Sequence, residues 1–207
     1  MGIVAEAKRE AEGFTQRVAI KWIPAWQVDA TRRQRFLFER EVVTRLRHPH
    51  IAQLVDGGDG EHGELWYAME LVEGKDLLSH CRERRLGLSQ RVQLLLDLCD
   101  AVAHAHRTLI LHRDIKPSNV LVNDEGQLKL IDFGVAKGLD SESDDLTLDA
   151  APMTPRYASP EQLRGERPTT LSDLWQVAAL AYELLSGPPA RTEGARRQAR
   201  EAALARE

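Results

Sequence analysis

His112-Arg113-Asp114-Ile115-Lys116-Pro117-Ser118-Asn119, followed after a short interval by Ile131-Asp132-Phe133-Gly134, is the stretch on which the reading of this chain turns. The first segment gathers Asp114, Lys116 and Asn119 in one polar loop. Between the segments, Val120-Leu121-Val122 and Leu128-Lys129-Leu130-Ile131 flank Asn123-Asp124-Glu125-Gly126, the pattern of a β-hairpin. Taken alone, an Asp and an Asn in a loop form turns and caps more often than they do chemistry. The order of the surrounding segments decides between the two.

Upstream the chain is strand-rich. Val18-Ala19-Ile20 and Leu65-Trp66-Tyr67-Ala68-Met69 are short β-branched, aromatic and apolar runs, and both read as strands. The interval Asp56 to Gly63 holds four glycines and reads as a turn or hairpin connection. Phe36, Val43 and Leu46 mark one face of a charged helix that stops before Pro49. From Leu77 the period becomes helical. Ser89 is the expected N-cap of a helix burying Val92, Leu95, Leu96, Cys99, Val102 and Ala103. A second buried helix is expected on Leu174, Val177, Ala178, Ala181 and Leu185, ending at Ser186-Gly187-Pro188-Pro189. Arg191 to Glu207 is an Ala/Arg/Glu stretch with little apolar face, expected to be an exposed helical tail.

Composition removes several function classes. Of the 207 residues 43% are hydrophobic and 29% charged, which excludes a disordered chain. The formal net charge of −4 argues against generic binding to nucleic acid or to an anionic membrane. The longest charge-free stretch, Leu174 to Tyr182, is far short of the roughly 20 residues that span a bilayer. Lys8, Arg9, Glu10 and Glu12 interrupt any signal peptide, and two cysteines, Cys81 and Cys99, are too few for a disulfide framework. The expectation is a cytoplasmic protein with reduced thiols. His104 and His106, two apart on a predicted helix, do not face one metal ion.

With these motifs in order, the sequence resembles the protein kinase superfamily, specifically bacterial Ser/Thr kinases of eukaryotic type, from Met1 to about Gly187. Val18-Ala19-Ile20-Lys21 matches the strand whose lysine holds the nucleotide, and Ser159-Pro160-Glu161 the tripeptide closing the activation segment. The resemblance implies an α+β, two-lobed fold: a β-rich small lobe at 1–72, a helical large lobe at 73–187, and a tail at 188–207. It implies transfer of the γ-phosphoryl group of ATP, with Mg²⁺, to Ser or Thr of protein substrates.

The resemblance also distributes roles. Asp114 would orient the attacking hydroxyl, and Asn119 and Asp132 would hold Mg²⁺. Lys116 and Lys21 would neutralise phosphate charge. Glu39 is the carboxylate aligned with Lys21; Glu41, on another helix face, is the competing assignment. Met69 would back the adenine pocket, Glu70 and Val72 would offer backbone groups to the base, Asp76 would meet the ribose, and Val4 and Ala19 would pack on the ring. Lys116 and Thr154 are the features that accompany Ser/Thr specificity. Thr147 is the expected phosphorylation site, with Ser141 and Ser143 behind it and Arg113 as the cation such a phosphate recruits. His112 is implied to pack under Phe133.

The match departs from the family at both ends. Gly2 stands as the third glycine of the phosphate-covering loop, without the first strand and the other two glycines. The helices expected after the one containing Asp173 are absent, so Glu161 is expected to lack its arginine and the Leu174–Leu185 helix to lack cover on one face. The alternative function is therefore a truncated, catalytically impaired nucleotide-binding module.

Overall fold

The computed structural model describes residues 3–11, 13–133 and 156–186; of Ala11, Arg35 and Glu39 it describes the backbone only. Gly2, Gly134, Ser141, Ser143, Thr147, Thr154, the predicted tail and the Glu39 side chain therefore lie outside the described residues.

The first half is a four-stranded antiparallel sheet in the order β1-β2-β4-β3, from β1 (Ile3–Ala11), β2 (Phe14–Ile23), β3 (Leu54–Asp59) and β4 (Leu65–Glu70). The two predicted strands are β2 and β4, paired with Lys21 opposite Tyr67 and Ala19 opposite Met69. β3 occupies half of the interval expected to be a turn, and only Gly60 to Gly63 closes the hairpin, through Gly63 N–H to Gly60 O at 3.1 Å. Close approach explains the glycine content there. A Cβ on Gly57 would stand 3.0 Å from Arg40 Cδ and 3.1 Å from Tyr67 Cβ. At this position the strand passes too close to its neighbours for a side chain to fit without their shifting.

One helix, α1 (Ala30–Arg45), covers this sheet. Asp29 caps it by accepting from Arg32 N–H at 2.7 Å. Phe36, Val43 and Leu46 are buried as their spacing requires, and the Phe36 ring meets Tyr67 at 5.3 Å in a core with Ile23, Leu65 and Met69.

The second half packs helices on a three-stranded sheet, β5 (Gly74–Asp76), β6 (Val120–Asn123) and β7 (Leu128–Leu130). The β6–β7 hairpin is the one read from sequence; β5 was not foreseen. Residue 74 must be glycine, because a Cβ there would lie 2.3 Å from Val122 O. The helices are α2 (Leu77–Glu83), α3 (Leu88–Arg107), α4 (Pro160–Leu163) and α5 (Thr170–Ser186).

Both long helices are where expected, but each is rotated from its expected face. On α3 the buried residues are Leu94, Leu95, Leu98, Ala101, Val102 and Ala105, while Val92, Leu96, Cys99 and Ala103 are exposed. The helix starts after Gly87, whose N–H donates to Gln90 Oε1 at 3.0 Å, so Ser89 is not the cap. On α5, Val177, Leu180 and Leu184 are buried together with Ser172, Asp173, Gln176 and Glu183. Leu174, Ala178 and Leu185 are exposed, with Leu171, Trp175 and Tyr182 beside them. Asp173 and Gln176 turn inward because they bond to the loop described below, Ser172 and Glu183 because they bond to Glu161 and Tyr157.

A burial-based test separates buried from exposed positions on the long helices. Leu98→Ala and Leu180→Ala, both at wholly buried positions, should each lose about 2–5 kcal/mol in urea denaturation. Leu96→Ala should change stability by no more than about 0.5 kcal/mol.

Candidate functional site

The loop 112–116 has no regular backbone pairing of its own, so side chains must satisfy its amides. α5 supplies them. The wholly buried Asp173 accepts from His112 N–H at 2.9 Å and Arg113 N–H at 2.7 Å. It also accepts from His106 Nε2 at 2.8 Å, which fixes the His106 proton on that nitrogen because a carboxylate only accepts. One turn on, Gln176 Oε1 accepts from Ile115 N–H at 2.7 Å. Gln162 and Gln176 both donate to Arg113 O, at 2.8 and 3.2 Å. These bonds hold Arg113 at φ +68°, the left-handed region that side chains rarely adopt.

His112 plugs the underside of the loop. Its ring meets Phe133 at 4.6 Å, Nε2–H donates to Ile131 O at 3.0 Å, and Nδ1 accepts from Asp114 N–H at 3.3 Å. Complete burial pushes the imidazole below its ordinary range, so it stays neutral and structural. Burial also lowers the Arg113 guanidinium, whose Nε and Nη1 are buried with no hydrogen-bond partner among the described residues.

Above this floor three polar side chains converge. Lys116 Nζ donates to Asp114 Oδ2 at 2.9 Å, and Asn119 Nδ2 donates to Asp114 O at 2.9 Å and to Asp114 Oδ2 at 3.3 Å. Asn119 O in turn accepts from Ile131 N–H at 2.9 Å, which brings the end of β7 alongside. Asp132 follows at φ +54°, and its Oδ1 lies 3.8 Å from Lys21 Nζ of β2. Lys21 Nζ also sits 5.8 Å over the Tyr67 ring. Lys21, Asp114, Lys116, Asn119 and Asp132 thus meet where the two sheets face each other.

The donor set fits a hard divalent cation. Asp132 Oδ1 is buried without a hydrogen-bond donor, and the Asn119 amide oxygen takes no hydrogen bond among the described residues. Among the described residues no cluster of three or more His, Cys, Asp or Glu encloses a metal. A hard divalent cation takes one or two such protein oxygens and completes its shell from substrate and water.

The expected base-binding residues fall on β1, β2, β4, β5 and the segment joining the last two. Met69 is buried opposite the half-buried Ala19, whereas Val4 is 52% exposed on β1, opposite Lys21. Val72 is half-buried beyond β4. Asp76 caps α2, accepting from Ser79 N–H at 3.0 Å. Sequence reasoning missed how Glu70 is held: Lys129 of β7 grips its carboxylate at 2.8 and 2.9 Å, and Gln53 N–H adds a bond at 3.3 Å. The signal was a lone lysine inside the apolar run 128–131. Asp173 and Gln176 were missed as well; their signal was a polar pair at i, i+3 within an apolar helix.

Glu161 Oε1 accepts from Ser172 Oγ at 2.5 Å, and this bond lowers its carboxyl pKa. Nearby, Tyr157 OH donates to Glu183 Oε2 at 2.6 Å, and Arg156 pairs with the same carboxylate at 2.6 Å. Burial, reinforced by Glu183, pushes the Tyr157 phenol well above its ordinary value.

The family model described as the protein kinase domain matches residues 1–206. Serine/threonine-protein kinase pkn3 of Myxococcus xanthus is 39% identical over 163 residues, covering 74% of this chain and 29% of that protein. A probable serine/threonine-protein kinase of Corynebacterium efficiens is 35% identical over 166 residues, 78% of this chain and 25% of its own length. Serine/threonine-protein kinase PknB of Mycolicibacterium smegmatis is 34% identical over 161 residues, 75% and 26% respectively. The matches thus span about a quarter to three-tenths of these relatives.

The Asp173 carboxylate can be tested without any assay of function. Asp173→Ala leaves the amides of His112 and Arg113 buried without an acceptor. It should lower stability by about 3 kcal/mol or more in chemical denaturation. Trp175→Ala, half-exposed on the outer face of the same helix, should cost far less.

Proposed function

The chain belongs to the protein kinase domain family, and from that premise we propose that it transfers the γ-phosphoryl group of ATP to Ser or Thr hydroxyls of protein substrates. The observation that carries the proposal is the approach of Lys21 Nζ to Asp132 Oδ1 at 3.8 Å, from two different sheets, beside an Asp114–Lys116–Asn119 cluster. Two opposed cations and two carboxylates around one gap suit a magnesium-bound triphosphate.

In this reading Asp114 accepts the hydrogen bond of the attacking hydroxyl and points its oxygen at the phosphorus. Lys116, already bonded to Asp114, lies beside the transferred group and offsets its charge. Asp132 and Asn119 would hold Mg²⁺, which when bound neutralises the phosphates and draws them into line. Lys21 neutralises the α- and β-phosphates, with Glu39 as the proposed carboxylate that aims it. The adenine edge falls to the backbone of Glu70 and Val72, against Met69, Ala19 and Val4, with Asp76 at the ribose and Gly2 over the phosphates. The same reading divides the chain into a small lobe at 1–72, a large lobe at 73–187 and a tail at 188–207. Lys116 supports Ser/Thr over Tyr as acceptor. No helix among the described residues is long and apolar enough to cross a membrane, and a cytoplasmic site of action is part of the proposal.

Purified chain incubated with Mg-ATP should label itself or a generic basic protein. Asp114→Asn should reduce transfer by about 10²–10⁴-fold while nucleotide still raises the melting temperature. Asp132→Asn should abolish transfer and weaken the Mg-dependent part of that thermal shift. Nucleotide binding with no transfer by the wild type would overturn the enzymatic reading and support a binding module instead.

A further inference from the structure

We propose that His48, His50 and His104, with Asp97 and Asp100, form a proton-sensitive latch on the strand that leads to Asp132, closed at neutral pH and released by acid.

The latch lies outside the nucleotide gap, where the α1–β3 connection crosses α3 and β7. Residues 48–53 clasp β7 through the backbone. Leu130 N–H donates to His50 O at 2.8 Å, Ala52 N–H donates to Leu130 O at 3.0 Å, and Ile51 bridges Leu130 in parallel. The clasp closes on His48, whose carbonyl accepts from Ile51 N–H and from Gln53 Nε2, both at 3.1 Å. The His50 ring adds Nδ1–H to Leu128 O at 3.2 Å.

The tautomer of His48 is dictated by its neighbours. Nδ1 accepts from His50 N–H at 3.2 Å, so the proton of the neutral ring sits on Nε2, where it donates to Asp100 Oδ2 at 3.0 Å. A second proton has only Nδ1 to go to, and that site faces an N–H. Protonation therefore breaks the bond that shapes the 48–50 turn. The same assignment disfavours a metal on Nε2, which would require the ring to lose both protons.

Two further imidazoles oppose a positive charge at His48: His104 at 5.0 Å and His50 at 5.5 Å between ring centroids. His104 lies four residues after Asp100, on the same side of α3, and its Nε2 is buried with no hydrogen-bond partner among the described residues. The acidic groups facing the cluster are Asp100 and Asp97, the latter 3.9 Å from His50 Nε2. β7 contributes only backbone, because Lys129 is engaged by Glu70.

Burial acts in the same direction as this geometry and lowers the His48 pKa, outweighing the help of Asp100. The sign follows. The unfolded or opened chain takes up the proton at about pH 6.5, the ordinary histidine value, while the closed latch resists it. The stabilisation is complete above that pH and is lost as pH falls below it. The latch does not rest on reading Asp132 as a metal ligand.

Amide hydrogen exchange on the full chain between pH 7.5 and 5.5, corrected for intrinsic rates, reads the latch directly. Opening at Leu130 and Ala52 should increase by up to about tenfold per pH unit below 6.5, the linkage of one proton. His48→Asn, whose Oδ1 can accept from His50 N–H but takes no proton, should remove this dependence. Exchange independent of pH in the wild type, or an unchanged dependence in His48→Asn, would overturn the proposal. Should that variant fold poorly, the NMR titration of His48 in the wild type decides: a midpoint below the free-histidine value supports the latch, and one at or above it sinks it. None of these readouts depends on phosphoryl transfer, so failure of the latch and failure of the kinase reading are distinguishable.

Discussion

Everything at the candidate site depends on one buried carboxylate. Asp173 is inside the helical half, where an unpaired charge would be strongly unfavourable. It persists because two consecutive amides and an imidazole donate to it. Those bonds convert a stretch without secondary structure into a fixed loop, and they do so from a helix anchored by Leu180 and Leu184 in the main core. The rigidity of the loop is therefore borrowed from helix packing. Asp114 and Asn119 inherit it, and so does the unusual backbone of Arg113.

The pieces legible in the sequence were those whose residues act locally. The 112–119 loop, the hairpin after it, strands β2 and β4 and the apolar face of α1 could all be read from spacing and turn chemistry. What failed shares one cause. Hydrophobic periodicity assumes that polar residues face water, and on α5 the polar residues face inward to ligate backbone. Asp173 and Gln176 took the buried stripe, so Leu174, Ala178 and Leu185 were displaced to the outside. On α3 an apolar row, Val92, Leu96, Cys99 and Ala103, competes with the true one, and spacing alone could not choose between them. β3 was hidden by glycines that read as a turn, although they are there because Arg40 and Tyr67 leave no room. At the site itself, the pairing of Lys129 with Glu70 spans 59 residues, and no local pattern announces it.

His48 and His112 show the same residue type put to two uses by the same bond. In each, the amide two residues on donates to Nδ1, which sets the tautomer. At His112 the other nitrogen donates to a carbonyl in a fully enclosed place, and neutrality is permanent. At His48 it donates to Asp100, a residue open to solvent, within a group of three rings. Enclosure alone separates a fixed plug from a group that protons can reach.

β7 has a mechanical consequence. Over three consecutive residues the strand and its exit are tied sideways, by Lys129 to Glu70, by Leu130 to the 50–52 backbone, and by Ile131 to His112 and Asn119. A beam clamped at three neighbouring points cannot bend between them, so Glu70 and Asp132 travel as parts of one stiff frame. Lys21, by contrast, approaches that frame from a different sheet across 3.8 Å. Any widening of the gap is then taken up on the lysine side, and the span from the edge of β4 to the Asp132 carboxylate keeps its length, a built-in ruler for whatever lies along it.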